Sequence, residues 1–226
     1  MKKEQITAEE IKKEIDEHIT EISREFKQGF EFLEKYPKSV TIFGSARFTE
    51  DSEHYVAAHK LAKRIVEETG YAVVTGGGPG IMESANKGAF DAKGQSIGLN
   101  IVLPHEQKIN PNVTDSIHFN YFFVRKPIMN FSAEVYIFFP GGFGTFDELF
   151  GVLTLIQTGK IPKVPVILVG KDYWIPVKEL IRDQMLTKHH TINKEDLDLM
   201  TITDSVDTIV KIIKKAPVSE WWSDID

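Results

Sequence analysis

The chain has 226 residues, 42 % hydrophobic and 27 % charged, a balance that suits one globular domain with a sizeable core. A net charge of −6 offers nothing to a polyanion, so no nucleic-acid partner is expected, whereas a compact phosphate needs only a local cluster of donors. The absence of cysteine excludes disulfides, thiolate metal sites and thiol catalysis, and no apolar run reaches the roughly 18 residues of a membrane span.

The charged opening MKKEQITAEEIKKEIDEHI has no signal-peptide pattern, and the cytoplasm is the expected compartment. Residues 1–36 read as an N-terminal amphipathic helix that starts at Thr7, a cap with Glu10 three positions on. Ile11, Ile15, Ile19 and Ile22 recur at helical spacing, and Phe26, Phe30 and Leu33 continue the stripe. Such a helix packs onto its own domain or onto a subunit partner, and Tyr36-Pro37 ends it. From residue 39 short apolar runs alternate with helical stretches. Strands are expected at 39–43 (SVTIF), 71–75 (YAVVT), 96–102, 117–121, 135–139 (VYIFF), 164–169 (VPVILV) and 199–202. Helices are expected at about 52–69, 80–92, 122–133, 145–157, 173–186 and 205–215. This alternation builds an α/β fold, a doubly wound, mostly parallel sheet with helices on both faces. Residues 37–226 therefore form a single domain, with ligands expected at the carboxyl ends of the strands.

Three strands run directly into small-residue turns: Gly44-Ser45-Ala46, Gly76-Gly77-Gly78-Pro79-Gly80, and Pro140-Gly141-Gly142-Phe143-Gly144-Thr145. In a parallel sheet all three lie on one edge, and each opens a helix whose first N–H groups are unpaired and partly positive. Helix starts of this kind bind phosphate without a metal. The Walker pattern is absent because no Gly-Lys-Ser/Thr ends either loop. A dinucleotide fingerprint fits poorly, since Ile81 and Asp147 stand where its third glycine belongs, and a mononucleotide fits better.

Glu148 has two readings on local sequence: the far end of a capping box begun by Thr145, or a carboxylate aimed at a phosphosugar pocket. Glu83 carries the same ambiguity, with support of a sugar hydroxyl as its functional role. Arg125-Lys126 open a helix against its dipole, a placement that an anion would relieve. The seven histidines include no His-Glu-x-x-His pattern, and neither a metal nor a cofactor is expected. Trp221-Trp222 read as a packing or subunit contact. No Gly-x-Ser-x-Gly elbow is present for acyl transfer.

Gly-Gly-Gly-Pro-Gly-Ile-Met-Glu (76–83) with Pro-Gly-Gly-Phe-Gly-Thr-Phe-Asp-Glu (140–148) closely resembles the cytokinin-activating phosphoribohydrolases, the "Lonely guy" family. Members long carried the label lysine decarboxylase, which the residues here do not support: no pyridoxal signature surrounds Lys126. The likeness covers roughly residues 39–185 and implies a Rossmann-like domain that hydrolyses AMP or N6-modified adenine nucleotides to free base and ribose 5-phosphate. Residue by residue, the resemblance puts the catalytic arginine on Arg125 and the catalytic glutamate on Glu148. It puts the phosphate turn on Gly141, Gly142, Gly144 and Thr145, and nucleotide contacts on Ser45, Gly77, Gly78, Met82, Glu83 and Lys126. It also implies a homodimer or larger homo-oligomer. One departure concerns the base pocket: where the family has Met-His-x before Arg-Lys, this chain has Phe122-Phe123-Val124.

The chemistry agrees with that assignment. Glycosidic hydrolysis passes through an oxocarbenium-like sugar, so negative charge beside the ribose, here Glu148, lowers the barrier. Arg125 would neutralise the departing base or hold the phosphate. The alternative is a non-catalytic nucleotide or cofactor carrier on the same scaffold, which would need only the loops and a cation.

Overall fold

The computed structural model describes residues 7–102 and 109–217; His105 and Trp221-Trp222 lie outside them. Helix α1 (Ala8–Leu33) begins as its sequence dictates. The Thr7 hydroxyl accepts from the Glu10 N–H at 3.3 Å, and the Glu10 carboxylate accepts from the Thr7 N–H at 2.8 Å. Its apolar stripe divides in two. Ile22, Phe26, Phe30 and Leu33 pack on the core, whereas Ile11, Ile15 and Ile19 stay about half exposed.

Seven strands form one sheet: β1 (Ser39–Phe43), β2 (Ala72–Thr75), β3 (Ser96–Ile101), β4 (Asp115–Phe119), β5 (Val135–Phe138), β6 (Val166–Leu168) and β7 (Met200–Ile202). The spatial order is β4-β3-β2-β1-β5-β6-β7, and every pairing is parallel. Parallel neighbours need crossovers, which are supplied by α2 (Glu53–Thr69), α3 (Ile81–Asp91), α4 (Phe122–Asn130), α5 (Phe143–Gln157) and α6 (Lys171–Leu180); α7 (Val206–Lys215) follows β7. Alternation along the strands sends side chains to two cores. Tyr136 and Phe138 of β5 meet α1, α4, α5 and α6, while Val135 and Ile137 meet α2, α3 and α7.

The helix expected at 173–186 differs most. It starts at Lys171, capped by Gly170 at φ 104°, and after Leu180 it widens into a π-helical segment, Ile181–Lys188. Only Ile181 of that segment is buried, so packing exerts little control over its winding. No described helix is long and apolar enough to cross a membrane.

From β1 the chain winds outward through β2, β3 and β4, then returns to the other side of β1 as β5, β6 and β7. The winding reverses between β1 and β5, and in open α/β sheets the crevice for ligands opens at the carboxyl ends of the strands there.

Candidate active site

The three glycine-bearing turns follow three adjacent strands, in the order β2-β1-β5. Ser45 ties them together. Its N–H donates to the Pro140 carbonyl at 3.0 Å, its own carbonyl accepts from the Ile81 N–H at 3.0 Å, and its hydroxyl accepts from the Arg47 N–H at 3.1 Å. Gly80, which caps α3, has φ +69°, and a side chain there would strike the Ser45 carbonyl. Gly80→Ala is therefore expected to cost more than about 1 kcal/mol of stability in urea denaturation. Gly142, with φ −92° and open space around its Cα, is the contrast: Gly142→Ala should stay within about 0.5 kcal/mol of the parent. Gly144 has the same open surroundings, so nothing inside the chain requires glycine at either place.

The capping-box reading of Thr145 and Glu148 does not hold. Helix α5 starts two residues earlier, capped by Gly142, whose carbonyl accepts from Thr145 and Phe146 at 3.0 and 3.1 Å. Thr145 is thus the third helical residue, and Glu148, one turn further in, faces the crevice. Its Oε2 is buried with no hydrogen-bond partner. Burial pushes this carboxyl up to about 7; Arg125 and Lys126 pull it down, and Asp147 pushes it up further. At the start of α5, the N–H groups of Gly142, Phe143 and Gly144 have no acceptor among the described residues.

Arg125 and Lys126 lie in the first turns of α4, whose N-terminus is held by an anion from α1. Buried Glu25 accepts from the Asn120 N–H at 3.0 Å, from the Asn120 side chain at 2.6 Å and from the Tyr121 N–H at 3.4 Å, at the N-terminus of α4. The Arg125 Nε donates to the Leu99 carbonyl at 2.6 Å, and its guanidinium lies over Gly76, where any side chain would meet it. Burial pulls the Arg125 pKa down, and Glu148 opposes that. Lys126 pairs with the Asp147 carboxylate at 2.5 Å and its Nζ donates to the Asp147 carbonyl at 3.2 Å.

A cleft of about 1000 Å³ brings together Ser45, Met82, Arg125, Lys126, Gly142, Gly144, Thr145 and Glu148. Four residues singled out in the sequence are not in its wall. Gly77 and Gly78 build the turn behind it: their carbonyls each accept from the Asn110 side chain at 3.1 Å, and the Gly77 N–H donates to the Thr75 hydroxyl at 2.9 Å. Gly141 leaves room for Thr145, and its carbonyl accepts from the Tyr173 hydroxyl at 2.6 Å. Glu83 sits on the first turn of α3, half-buried, where its charge adds to the burial that holds the Tyr55 phenol at about 12.

Sequence reasoning missed Asn100, Asn110 and Asn86. Asn86 and Asn110 meet at 2.9 Å in a buried polar network under the β2 turn, and Asn100 lines the cleft itself. The available signal was an amide inside an otherwise apolar strand, in Ile97-Gly98-Leu99-Asn100-Ile101.

A family model described as "Possible lysine decarboxylase" matches residues 82–213, more than half of the chain. The chain is similar to the cytokinin riboside 5′-monophosphate phosphoribohydrolase of Rhodococcoides fascians, 28 % identical over 155 residues that cover 64 % of this chain and 74 % of that protein. A protein of the same description from Arabidopsis thaliana is 28 % identical over 137 residues, 60 % of this chain and 63 % of the relative, so the match spans less than two thirds of that protein. Among solved structures, the molybdenum cofactor binding protein of Rippkaea orientalis superposes with a TM-score of 0.58 at 26 % identity, covering 78 % of this chain and 93 % of that one.

Proposed function

The chain belongs to the family described as possible lysine decarboxylases, the Lonely guy family of its curated relatives, and from that membership we propose that it is a nucleoside 5′-monophosphate phosphoribohydrolase acting on AMP or N6-modified adenine nucleotides. The observation that carries this reading is the buried, unpartnered Oε2 of Glu148, in one cleft with Arg125 and the open start of α5. A binder of phosphate has no use for a second, desolvated anion beside its ligand. A glycosidic hydrolase does, because positive charge builds on the sugar ring.

The 5′-phosphate sits on the N–H groups of Gly142, Phe143 and Gly144, where the two glycines let it approach the backbone. Thr145 and Ser45 border that position, and Lys126, held by Asp147, adds a cation at its edge. Gly77, Gly78 and Gly141 act through the shape of their turns, and Glu83, outside the cleft wall, through its charge near Tyr55. In the chemical step the C1′–N bond breaks with its electron pair going to the base. Water attacks C1′, its hydroxyl stays on the sugar, and its proton ends on the base nitrogen. Glu148 supplies negative charge to the oxocarbenium-like sugar and orients the water. Arg125 stands over Gly76 at the β2–β3 end of the cleft, away from the phosphate turn on β5, which suits neutralisation of the departing base. A homodimer or larger assembly fits the exposed aromatic rings of Phe122, Phe123 and Phe143 at the cleft mouth.

The test is release of free base from purified protein. AMP, GMP, CMP, UMP, IMP and isopentenyladenosine monophosphate are each incubated with it, and the products separated by chromatography. Base plus ribose 5-phosphate from an adenine nucleotide is the expected result. Saturable nucleotide binding without release from any of them would favour the second reading, a carrier or sensor, which the similarity to a molybdenum cofactor binding protein supports.

A further inference from the structure

Asn100 has no part in the chemistry above, yet it is built into the same cleft. Its side chain is 5 % exposed, its Oδ1 is buried without a donor, and no described residue hydrogen-bonds either end of the amide. A buried amide left unpaired in that way is costly, so its reachable Nδ2 end is expected to find a partner outside the chain. The neighbouring turn is shaped around it. Gly77 adopts φ +71°, and a side chain at Gly77 or at Gly98 would run into the Asn100 amide. Two glycines thus give up their side chains to hold one amide in place.

Its position along the cleft says which part of a ligand it meets. The open N–H groups of α5 follow β5, whereas Asn100 lies next to the last residue of β3, three strand spacings away across β1 and β2, or roughly 14 Å. The wall changes character over that distance. Near β5 it is Gly142, Gly144 and Thr145; near β3 and the start of α4 it is Ile101, Phe122 and Phe123, apolar and aromatic. A nucleotide lying with its phosphate on α5 puts its base at the apolar end.

Resting on the phosphoribohydrolase reading, we infer that Asn100 is a specificity-determining residue whose amide hydrogen-bonds the edge of the base. The Asn100 Oδ1 is turned to Gly77 and Gly98 and closed off from the cleft, so the Nδ2 is the end that meets the base, donating to an unprotonated ring nitrogen such as N1 of adenine, which guanine carries protonated. The apolar wall of Ile101, Phe122 and Phe123 borders the base without choosing among bases, and Asn100 supplies the choice.

The experiment compares AMP with ribose 5-phosphate, which keeps sugar and phosphate but has no base. Affinities of both are measured by calorimetry for the parent, Asn100→Ala and the isosteric Asn100→Asp, together with kcat and KM for AMP. Both variants are expected to weaken AMP binding by about 10- to 100-fold, mostly in KM, while ribose 5-phosphate binds within about twofold of the parent. Equal weakening of AMP and ribose 5-phosphate would overturn the inference, because Asn100 would then hold the sugar or only shape the Gly77 turn. Unchanged AMP affinity in both variants would overturn it as well. If the parent binds AMP and releases no base, the hydrolytic reading falls, and the two affinities still decide the role of Asn100.

Discussion

Glu148→Gln is expected to lose about 10²–10³ in kcat for base release while the folded protein becomes more stable above neutral pH. Both effects come from one cause. Burial raises the carboxyl of Glu148 from 4.5 to about 7, so the charge proposed to help the transition state is held at a cost to the fold. Catalysis needs the ionised form, so kcat/KM of the parent should fall about tenfold per pH unit below pH 7, and the glutamine variant should lack that limb. A rate that instead rises on acidification would make neutral Glu148 a proton donor. For stability the sign is opposite to that of a salt-bridged carboxylate. Between pH 4.5 and 7 the folded state keeps a proton that the unfolded chain has released, so stability declines as pH rises through that window and levels off above it. The glutamine variant does not share the decline. At pH 8 it should exceed the parent by on the order of 2–3 kcal/mol, shrinking toward zero below pH 4.5, as denaturant titrations at the two pH values will read. Equal stability at pH 8 would mean that the carboxylate is well solvated and that its pKa is ordinary.

The fold could be read from the chain because its strands announce themselves twice, as apolar runs and as runs ending in glycine. Val135–Phe138 and Ser39–Phe43 are buried on both faces, which only a two-sided parallel sheet demands. The order of the strands is another matter. Nothing in the residues says that β1 lies between β2 and β5, yet that neighbourhood brings the three turns together and lets Ser45 bond to both of the others. Local signals were reliable at Thr7 and Glu10, where side chain and backbone satisfy each other, and misleading at Thr145 and Glu148, where the helix starts two residues earlier. Thr145 and Glu148 have the spacing of a capping box, but Gly142 takes the cap position and leaves the helix start without a side-chain cap.

The wall of the cleft was readable in part for a related reason. Glycines and charges stand out in a sequence; an asparagine inside a strand does not, until burial shows that it has no partner. Glu25 was hidden more deeply. Its amphipathic helix pattern marks it as one more solvated acid, while the fold lays it against the N-terminus of α4, 95 residues further on, where it accepts from Asn120. Long-range capping of this kind leaves no trace in local periodicity.

Arg125→Ala should lower kcat by about 10²–10³, and its secondary effects separate a role at the base from a role at the phosphate. The guanidinium makes two contributions besides the role proposed for it. Its Nε occupies the Leu99 carbonyl, and its charge pulls down the pKa of Glu148. Removal therefore lifts the Glu148 pKa further above neutrality, and the acid limb of the residual kcat/KM should move to higher pH. Arg125→Lys keeps a cation but cannot reproduce the Nε bond, so its limb should move less while its turnover stays low. The decisive substrate is 4-nitrophenyl ribofuranoside 5-phosphate, whose leaving group departs as a stable anion. If Arg125 neutralises the departing base, the loss on Arg125→Ala shrinks to within about tenfold for this substrate, because little charge remains to be neutralised. If it holds the phosphate, the loss is the same for both substrates and ribose 5-phosphate binds weakly. Near-parental turnover of AMP in Arg125→Ala would remove the residue from the mechanism and leave Glu148 to act with the helix start alone.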